Sequence, residues 1–345
     1  MMKKEEMYRY CGSLEQLVTA RPIQFRDGLA DGLKGILVQN GAFETMLMES
    51  KALDPAWLRY KGINLSYLSK PGLQGKSPYE SDPNQSGRSM MIGGMMTCGL
   101  DNIHGDVFEN GTYYPAHGRM RSTPAELVCT DADFTDEGYT VTVKGQMRQA
   151  TLFGENMSMR RTVRTVYGKP ALEFVDVIQN QAFRPEPLCF LYHVNFGYPF
   201  LVPGVRVVMP SLECMPRDAI AAAGADRWNV MGQPKDNEPE QVFLHRLAAD
   251  TNGNTFGAVV NDELELAVCV RWNIREIPMV TQWKTEAAGD FVLALEPCNT
   301  DFGQRANAGK ILDSFETYTN HITIEVLEGK DAIAALEAEA QALTK

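Results

Sequence analysis

The sequence predicts an all-β protein, a large antiparallel β-sandwich with few short helices and a C-terminal helix. Three observations predict it. Apolar residues recur at every second position in run after run, the period of a half-buried strand. The runs are short and are separated by Gly, Asn, Asp and Pro. The strand–helix alternation that marks parallel α/β folds is absent.

Taken in chain order, Ser13 to Thr19 reads as a short N-terminal turn. Asn40-Gly41 between Ile36-Leu37-Val38 and Phe43 is a hairpin signal, because both residues tolerate the positive φ of a two-residue turn. Pro71 to Arg88, rich in Gly, Ser, Pro and Asn, reads as a long loop, either a lid or a disordered insertion. Tyr139, Val141 and Val143 alternate with Thr140, Thr142 and Lys144, and Met157 to Tyr167 alternates similarly. Gly168-Lys169-Pro170 breaks the pattern before Leu172 to Ile178 resumes it. Residues 218–225 are alanine-rich and read as helical. Leu264, Leu266, Val268, Val270 and Trp272 make a further apolar row, and Ile322, Ile324 and Val326 another. The tail reads as a helix with Asp331 as N-cap and Ile333, Leu336, Ala340 and Leu343 on one face. Without repeats or low-complexity linkers, residues 1–345 are expected to form one domain. Residues 1–25 would be an N-terminal extension, and 331–345 a helix packed outside the sheets.

Composition bounds the function. The chain has 345 residues, 44% hydrophobic and 22% charged, which is ordinary for a globular protein with a large core. Its formal net charge of −11 argues against broad binding to nucleic acid or anionic membrane, since phosphate contacts need clustered cations. No apolar run approaches the roughly 20 residues that span a bilayer. The N-terminus Met1-Met2-Lys3-Lys4-Glu5-Glu6 lacks the apolar stretch of a signal peptide. A cytoplasmic monomer or homodimer is therefore expected. The cysteines at 11, 98, 129, 189, 214, 269 and 298 are odd in number, scattered and without zinc-site spacing, so reduced structural thiols and no metal are expected.

Several motifs can be set aside. No G-x-G-x-x-G follows a strand, and there is no H-E-x-x-H and no G-x-S-x-G. Gly303 to Lys310 has five residues between its glycines instead of four, and Ile311 stands where a phosphate loop needs Ser or Thr. Of five histidines, His321 falls on the polar face of its strand and His245 has bland neighbours. His104, in a Gly- and Asn-rich turn, stays open.

Three segments can carry chemistry. His117-Gly118-Arg119-Met120-Arg121 gathers an imidazole and two guanidiniums beside a permissive glycine. It is either a donor knot for a hydroxyl-rich ligand or a turn with surface cations. In Tyr192-His193-Val194-Asn195-Phe196-Gly197-Tyr198-Pro199, alternation puts His193 and Asn195 on one face, either presented to a ligand or buried and satisfied. In Phe291 to Asn299, alternation puts Glu296 with Val292 and Ala294 at the end of an apolar strand. A carboxylate there is either desolvated, with its pKa raised toward that of a useful base, or paired with a cation.

Together these segments resemble the aldose 1-epimerase (galactose mutarotase-like) superfamily, and most closely its branch of uncharacterised bacterial proteins known as a domain of unknown function. The resemblance covers nearly the whole chain. It runs through Gly12-Ser13-Leu14-Glu15-Gln16, Asp27-Gly28, Gly32, Asn40-Gly41, Tyr60-Lys61-Gly62, and Gly93-Gly94 to Asn102. It continues in His117-Gly118-Arg119 with Pro124-Ala125-Glu126, then Tyr192 to Pro199, Gln282-Trp283-Lys284 and Glu296-Pro297. It implies a β-supersandwich with a sugar in a cleft on one face, and cofactor-free interconversion of sugar anomers. By resemblance, His193 is the general acid on the ring oxygen and Glu296 the general base on the anomeric hydroxyl, facing each other across a hexose-sized gap. His117 resembles the histidine that holds the sugar, and Glu240 the acidic residue that binds its hydroxyls. Near residues 49–54 the branch usually has an Arg-Gly-Met-Asp-like stretch. This chain has Glu49-Ser50-Lys51-Ala52-Leu53-Asp54, so no substrate contact is carried over there. Arg119, Arg121 and Lys284 are candidates for binding hydroxyls or an anionic group. Asn195 shares the face of His193, and Trp283 is a candidate to stack on the sugar. Two other readings use the same site: another acid–base isomerisation, epimerisation or elimination on a sugar, or a carbohydrate-binding module without turnover.

Overall fold

The computed structural model describes residues 4–75, 86–90, 93–303, 305 and 308–345. Much of the expected loop from Pro71 to Arg88 therefore lies outside the described residues. The first sheet has five strands in sequence order: β1 (Thr19–Gln24), β2 (Lys34–Gln39), β3 (Phe43–Met48), β4 (Asp54–Tyr60) and β5 (Ile63–Asn64). The hairpin predicted at Asn40-Gly41 joins β2 to β3, and Asn40 Oδ1 accepts from the backbone N–H of Phe43 across the turn at 2.7 Å. After β6 (Met95–Leu100) comes a two-stranded ribbon, β7 (Val107–Glu109) and β8 (Thr112–Tyr114).

Four long strands follow: β9 (Glu126–Thr135), β10 (Gly138–Ala150), β11 (Asn156–Val166) and β12 (Ala171–Asn180). Then come β13 (Glu186–Phe196), β14 (Arg206–Val208), β15 (Ser211–Pro216) and β16 (Gln241–Leu247). β17 (Asn254–Asn261), β18 (Leu266–Asn273), β19 (Met279–Thr285), β20 (Val292–Cys298), β21 (Lys310–Leu312) and β22 (Thr317–Glu328) complete the set. An eight-stranded sheet has the order β14-β17-β18-β22-β12-β11-β10-β9. A seven-stranded sheet runs β15-β16-β19-β20-β13-β21, with β6 also paired to β13. Every strand pair among the described residues of the three sheets and the ribbon is antiparallel, as the period of two predicts.

The main core lies between the inner faces of these sheets. Val141, Val143, Met157, Met159, Val163, Leu172, Phe174 and Ile178 meet Phe190, Tyr192, Val194, Leu293 and Leu295 there, all essentially without exposure. A second apolar layer covers the opposite face of the eight-stranded sheet. The C-terminal helix (Lys330–Leu343) lays Ile333, Leu336 and Ala340 against Phe256, Ala258, Val260, Ala267 and Cys269. Gly329 rather than Asp331 is its N-cap, and Asp331 sits in the first turn, where a carboxylate still favours the helix dipole. The predicted alanine-rich helix is Ala219–Ala223, capped by Asp218, whose side chain accepts from Ala221 N–H.

The stretch expected to be an N-terminal extension contains more structure than its pattern suggested. Lys4–Tyr10 is helical, with Met7 buried, and β1 pairs with β2 along its whole length. All seven cysteines are free thiols. Among the described residues, no helix is long and apolar enough to cross a membrane.

Candidate active site

Strand alternation and register place two distant residues side by side. On β13 the residues Phe190, Tyr192, Val194 and Phe196 face the main core, which turns His193 and Asn195 to the other side. On β20, Leu293 and Leu295 face the core, which turns Ala294 and Glu296 the same way as His193. The register pairs Val194 with Leu295 and Asn195 with Ala294, and so sets His193 opposite Glu296. β19 continues the rows with Thr281 opposite Glu296 and Trp283 opposite Ala294. β16 adds Val242 opposite Trp283.

A cleft of about 580 Å³ opens over this patch, within the usual range for small-molecule sites. His193, Glu296, Thr281, Trp283 and Val242 line it from the sheet. His104, Gly105, Asp106, Ala116 and His117 close one side, Met90 and Phe302 add apolar surface, and Arg217 and Glu240 line it as well.

His193 and Glu296 are 3% and 2% exposed, and His193 Nε2 lies 3.2 Å from Glu296 Oε1. The two groups therefore touch, where a hexose-sized gap between them was expected. His193 Nδ1 is 2.6 Å from Asn195 Oδ1. Burial pushes the His193 imidazole down to about 4, although the Asn195 contact works in the opposite direction. Burial also raises the Glu296 carboxyl well above the usual carboxylate range, with the nearby Glu240 charge adding to the rise. A charged ion pair would need an imidazolium, which desolvation disfavours. Both shifts favour the uncharged pair, with a carboxylic acid facing an imidazole.

His117 and Trp283 each set a ring 5.4 Å from that of His193, edge to face. His117 has φ +62°, and Gly118, at φ +69°, follows it in the same left-handed region. A Cβ at residue 118 would lie 2.4 Å from the Asn102 carbonyl oxygen and 2.5 Å from that of Gly99, so only glycine lets the loop approach the sheet here. His117 Nδ1 is 3.5 Å from Cys98 Sγ, and burial holds the imidazole well below its ordinary pKa. His104 is tied to this loop by a 2.8 Å bond from His117 N–H to its carbonyl. Burial takes His104 down to about 4, and its Nε2 is buried without a hydrogen-bond partner. Three neutral imidazoles thus face one cleft.

Glu240 is held from two sides. Trp283 Nε1–H donates to its Oε2 at 2.8 Å, and Arg217 donates to its Oε1 at 2.9 Å. Arg217 also donates to Asp218 at 3.0 Å. Among the described lining residues Arg217 is the one cation, and two carboxylates already bind it.

Five of the residues singled out in the sequence come together at the cleft: His193, Glu296, His117, Glu240 and Trp283. Four do not line it. Arg119 forms an ion pair with Asp101 and donates to the Tyr113 carbonyl. Arg121 is buried, its Nε donating to the Ala116 carbonyl behind the His117 loop. Lys284 neighbours Trp283 on one strand and so points to the opposite face, where Nζ donates to the carbonyls of Arg227 and Val230 and pairs with Glu286. Asn195 is fully buried beneath His193. Sequence reasoning missed Asp106, Thr281, Arg217, Met90 and Phe302 and left His104 open. Alternation on β19 would have found Thr281, two residues from Trp283. The others sit on loops whose approach to the sheet no local pattern encodes. No group of three or more His, Cys, Asp or Glu residues is placed to hold a metal ion among the described residues. His245, read as bland, is buried, with its ring nitrogens near Ser211 Oγ and Gln282 Oε1.

Comparison with known proteins adds a family and a fold. Residues 30–326 match the model of a domain of unknown function (DUF4432). No curated protein matches the chain. Among solved structures, a protein of Klebsiella pneumoniae provisionally assigned as an aldose 1-epimerase superposes with a TM-score of 0.87 at 22% identity, covering 94% of this chain and 87% of that one. A galactose mutarotase-like protein from Clostridium acetobutylicum gives 0.59 at 14% identity, covering 90% and 99%. Galactose 1-epimerase from Lactobacillus acidophilus gives 0.59 at 10% identity, again covering 90% and 99%. At these identities the likeness is one of fold.

Proposed function

The chain belongs to the DUF4432 family and has a galactose mutarotase-like fold, and from that premise we propose that it is an aldose 1-epimerase, interconverting the anomers of a neutral sugar without a cofactor. The observation that carries this reading is the touching pair of His193 and Glu296 in the wall of a sugar-sized cleft. Ring opening needs a proton delivered to the ring oxygen as another leaves the anomeric hydroxyl. Both oxygens are bonded to the same carbon, so the acid and the base must be neighbours. His193 as imidazolium serves the ring oxygen, and Glu296 as carboxylate serves the hydroxyl. A single proton transfer within the pair converts the uncharged form into this one. After ring opening the carboxyl is protonated and the imidazole neutral, ready to close the ring on either face. Trp283 offers a flat apolar surface to the pyranose, while Glu240 and Asp106 accept hydrogen bonds from its hydroxyls.

The pH profile follows from this proton count. When pH falls far enough for the pair to take a second proton, no base remains. When pH rises far enough to remove the shared proton, no acid remains. The imidazole, pushed down to about 4, sets the acid limit, and burial raises the carboxyl and with it the alkaline limit, so the two limits are driven apart. We expect kcat, corrected for buffer catalysis, to be flat near pH 7 and to fall at both extremes. A single limb falling through pH 7 would contradict this.

The cleft also selects by charge. With Arg217 occupied by Glu240 and Asp218, an anionic sugar meets Asp106 and Glu240 without a free cation among the described lining residues. Neutral aldoses should exceed hexose 6-phosphates and uronates in kcat/KM by about tenfold or more, since ~1.4 kcal/mol of repulsion is enough. Polarimetry or saturation-transfer NMR across such a panel tests this together with the activity. Another acid–base isomerisation, epimerisation or elimination would pass through an anion, for which Arg119, Arg121 and Lys284 are the candidate stabilisers. None of the three lines the cleft.

A further inference from the structure

We propose that Asn195 is a positioning residue: it fixes the tautomer of His193, and through that tautomer obliges His193 and Glu296 to hold one proton between them. Asn195 Nδ2 donates to the carbonyl of Gly93 at 2.9 Å and to that of His193 at 2.8 Å. Reversing the amide would set its oxygen against both carbonyl oxygens, so the orientation is determined. Asn195 Oδ1 is therefore the atom facing His193 Nδ1 at 2.6 Å, and it can only accept. Nδ1 must carry the proton.

The consequence reaches the cleft. In the neutral imidazole with Nδ1 protonated, Nε2 is a lone pair, and it lies 3.2 Å from Glu296 Oε1. Oε1 is buried and has no hydrogen-bond partner. A carboxylate there would sit beside that lone pair, out of water and without a donor, which is costly. One proton must lie between them, on oxygen or on nitrogen. If Asn195 instead let the proton sit on Nε2, a neutral imidazole could donate to a plain carboxylate. The pair would then hold one proton fewer and have no acid to give. The amide, which touches no substrate, thus keeps the shared proton on the pair.

This rests on the proposed reaction only for its catalytic meaning, and the tautomer can be read without any sugar. In wild-type protein labelled with ¹⁵N-histidine, and with His193 assigned from a His193→Asn variant, the imidazole should show the Nδ1–H pattern at pH 7. In Asn195→Ala the Nε2–H pattern should appear. The alkaline limb of kcat should move to lower pH, and kcat at pH 7 should fall on the order of 10²-fold, the scale of one lost proton transfer, with KM within about twofold. An Nε2–H pattern in the wild type overturns the proposal, and that measurement does not depend on the variant folding. A folded Asn195→Ala protein with unchanged tautomer and unchanged alkaline limb overturns it equally. If the wild type shows the Nδ1–H pattern yet moves no anomer of any sugar, the proposed activity fails and the tautomer assignment stands.

Discussion

Glu296→Gln is expected to lower kcat for anomer interconversion by roughly 10²–10⁴-fold, the contribution of one positioned proton-transfer group. The protein should keep its fold, because burial already favours the uncharged carboxyl. Burial raises Glu296 well above the carboxylate range, so glutamine replaces a neutral acid with a neutral amide of the same shape. The amide N–H₂ can still donate to His193 Nε2 across the 3.2 Å contact. What is lost is the transferable proton. The change in stability should therefore stay within about 1 kcal/mol, the net worth of a single hydrogen bond. Saturation-transfer NMR on the best neutral aldose and a urea titration together check both halves. Wild-type exchange rates in a folded variant would remove Glu296 from the mechanism.

Arg161→Met is expected to be the most destabilising single change, costing roughly 3–5 kcal/mol. Arg161 is 0% exposed in its side chain and spends all its donors. Nε and an Nη donate to the two oxygens of Asp176 at 2.8 and 2.7 Å. The remaining N–H groups reach Asp54 Oδ1 at 2.7 Å, the Ala52 carbonyl at 2.9 Å and Thr97 Oγ1 at 2.9 Å. Tyr192 O–H donates to Asp176 at 2.6 Å, so the cluster lies against the core face of the strand that carries His193. Methionine would fill the space and leave two buried carboxylates without a cation. Even with Arg161 present, burial outweighs it and holds Asp54 above its ordinary pKa. In the variant Asp54 should be protonated in the folded state and ionised in the unfolded one. The folded state then binds more protons, so the variant's stability must fall as pH rises above the unfolded pKa of about 4. Urea titrations of both proteins at several pH values test this, and equal stability at neutral pH would contradict it. Asp54→Asn in the Arg161→Met background should recover part of the loss.

The contrast between these two sites shows how far the sequence could be read. Alternation alone put His193 and Asn195 on one face of their strand and Glu296 with Val292 and Ala294 on one face of another, and the register then brought His193 and Glu296 together. The same rule was available for the arginine cluster. Arg161 falls in the inward row of Met157, Met159 and Val163, and Asp176 in that of Leu172, Phe174 and Ile178. A lone charge of each sign in two adjacent inward rows signals a buried pair, and it is legible without a structure. Asp54 closes the cluster from the segment where the resemblance departed, so that segment supports the sheet instead of touching the cleft. Lys284 shows the converse: one position from Trp283 on a strand, it could not share its face. Arg119 and Arg121 were beyond reach, because Met120–Ser122 forms a single 3₁₀ turn whose direction depends on Asp101 and Ala116 elsewhere in the chain. Nor could sequence show the His193–Glu296 distance, which depends on how closely two strands carry their side chains above the sheet.

The most direct test is made on the wild-type protein with neutral aldoses in deuterated water. Saturation-transfer NMR should show anomer exchange well above the buffer rate for at least one sugar, with no deuterium entering any carbon. Absence of acceleration across the whole panel would contradict the account, and so would deuterium at carbon, because then the same two groups would be breaking a C–H bond.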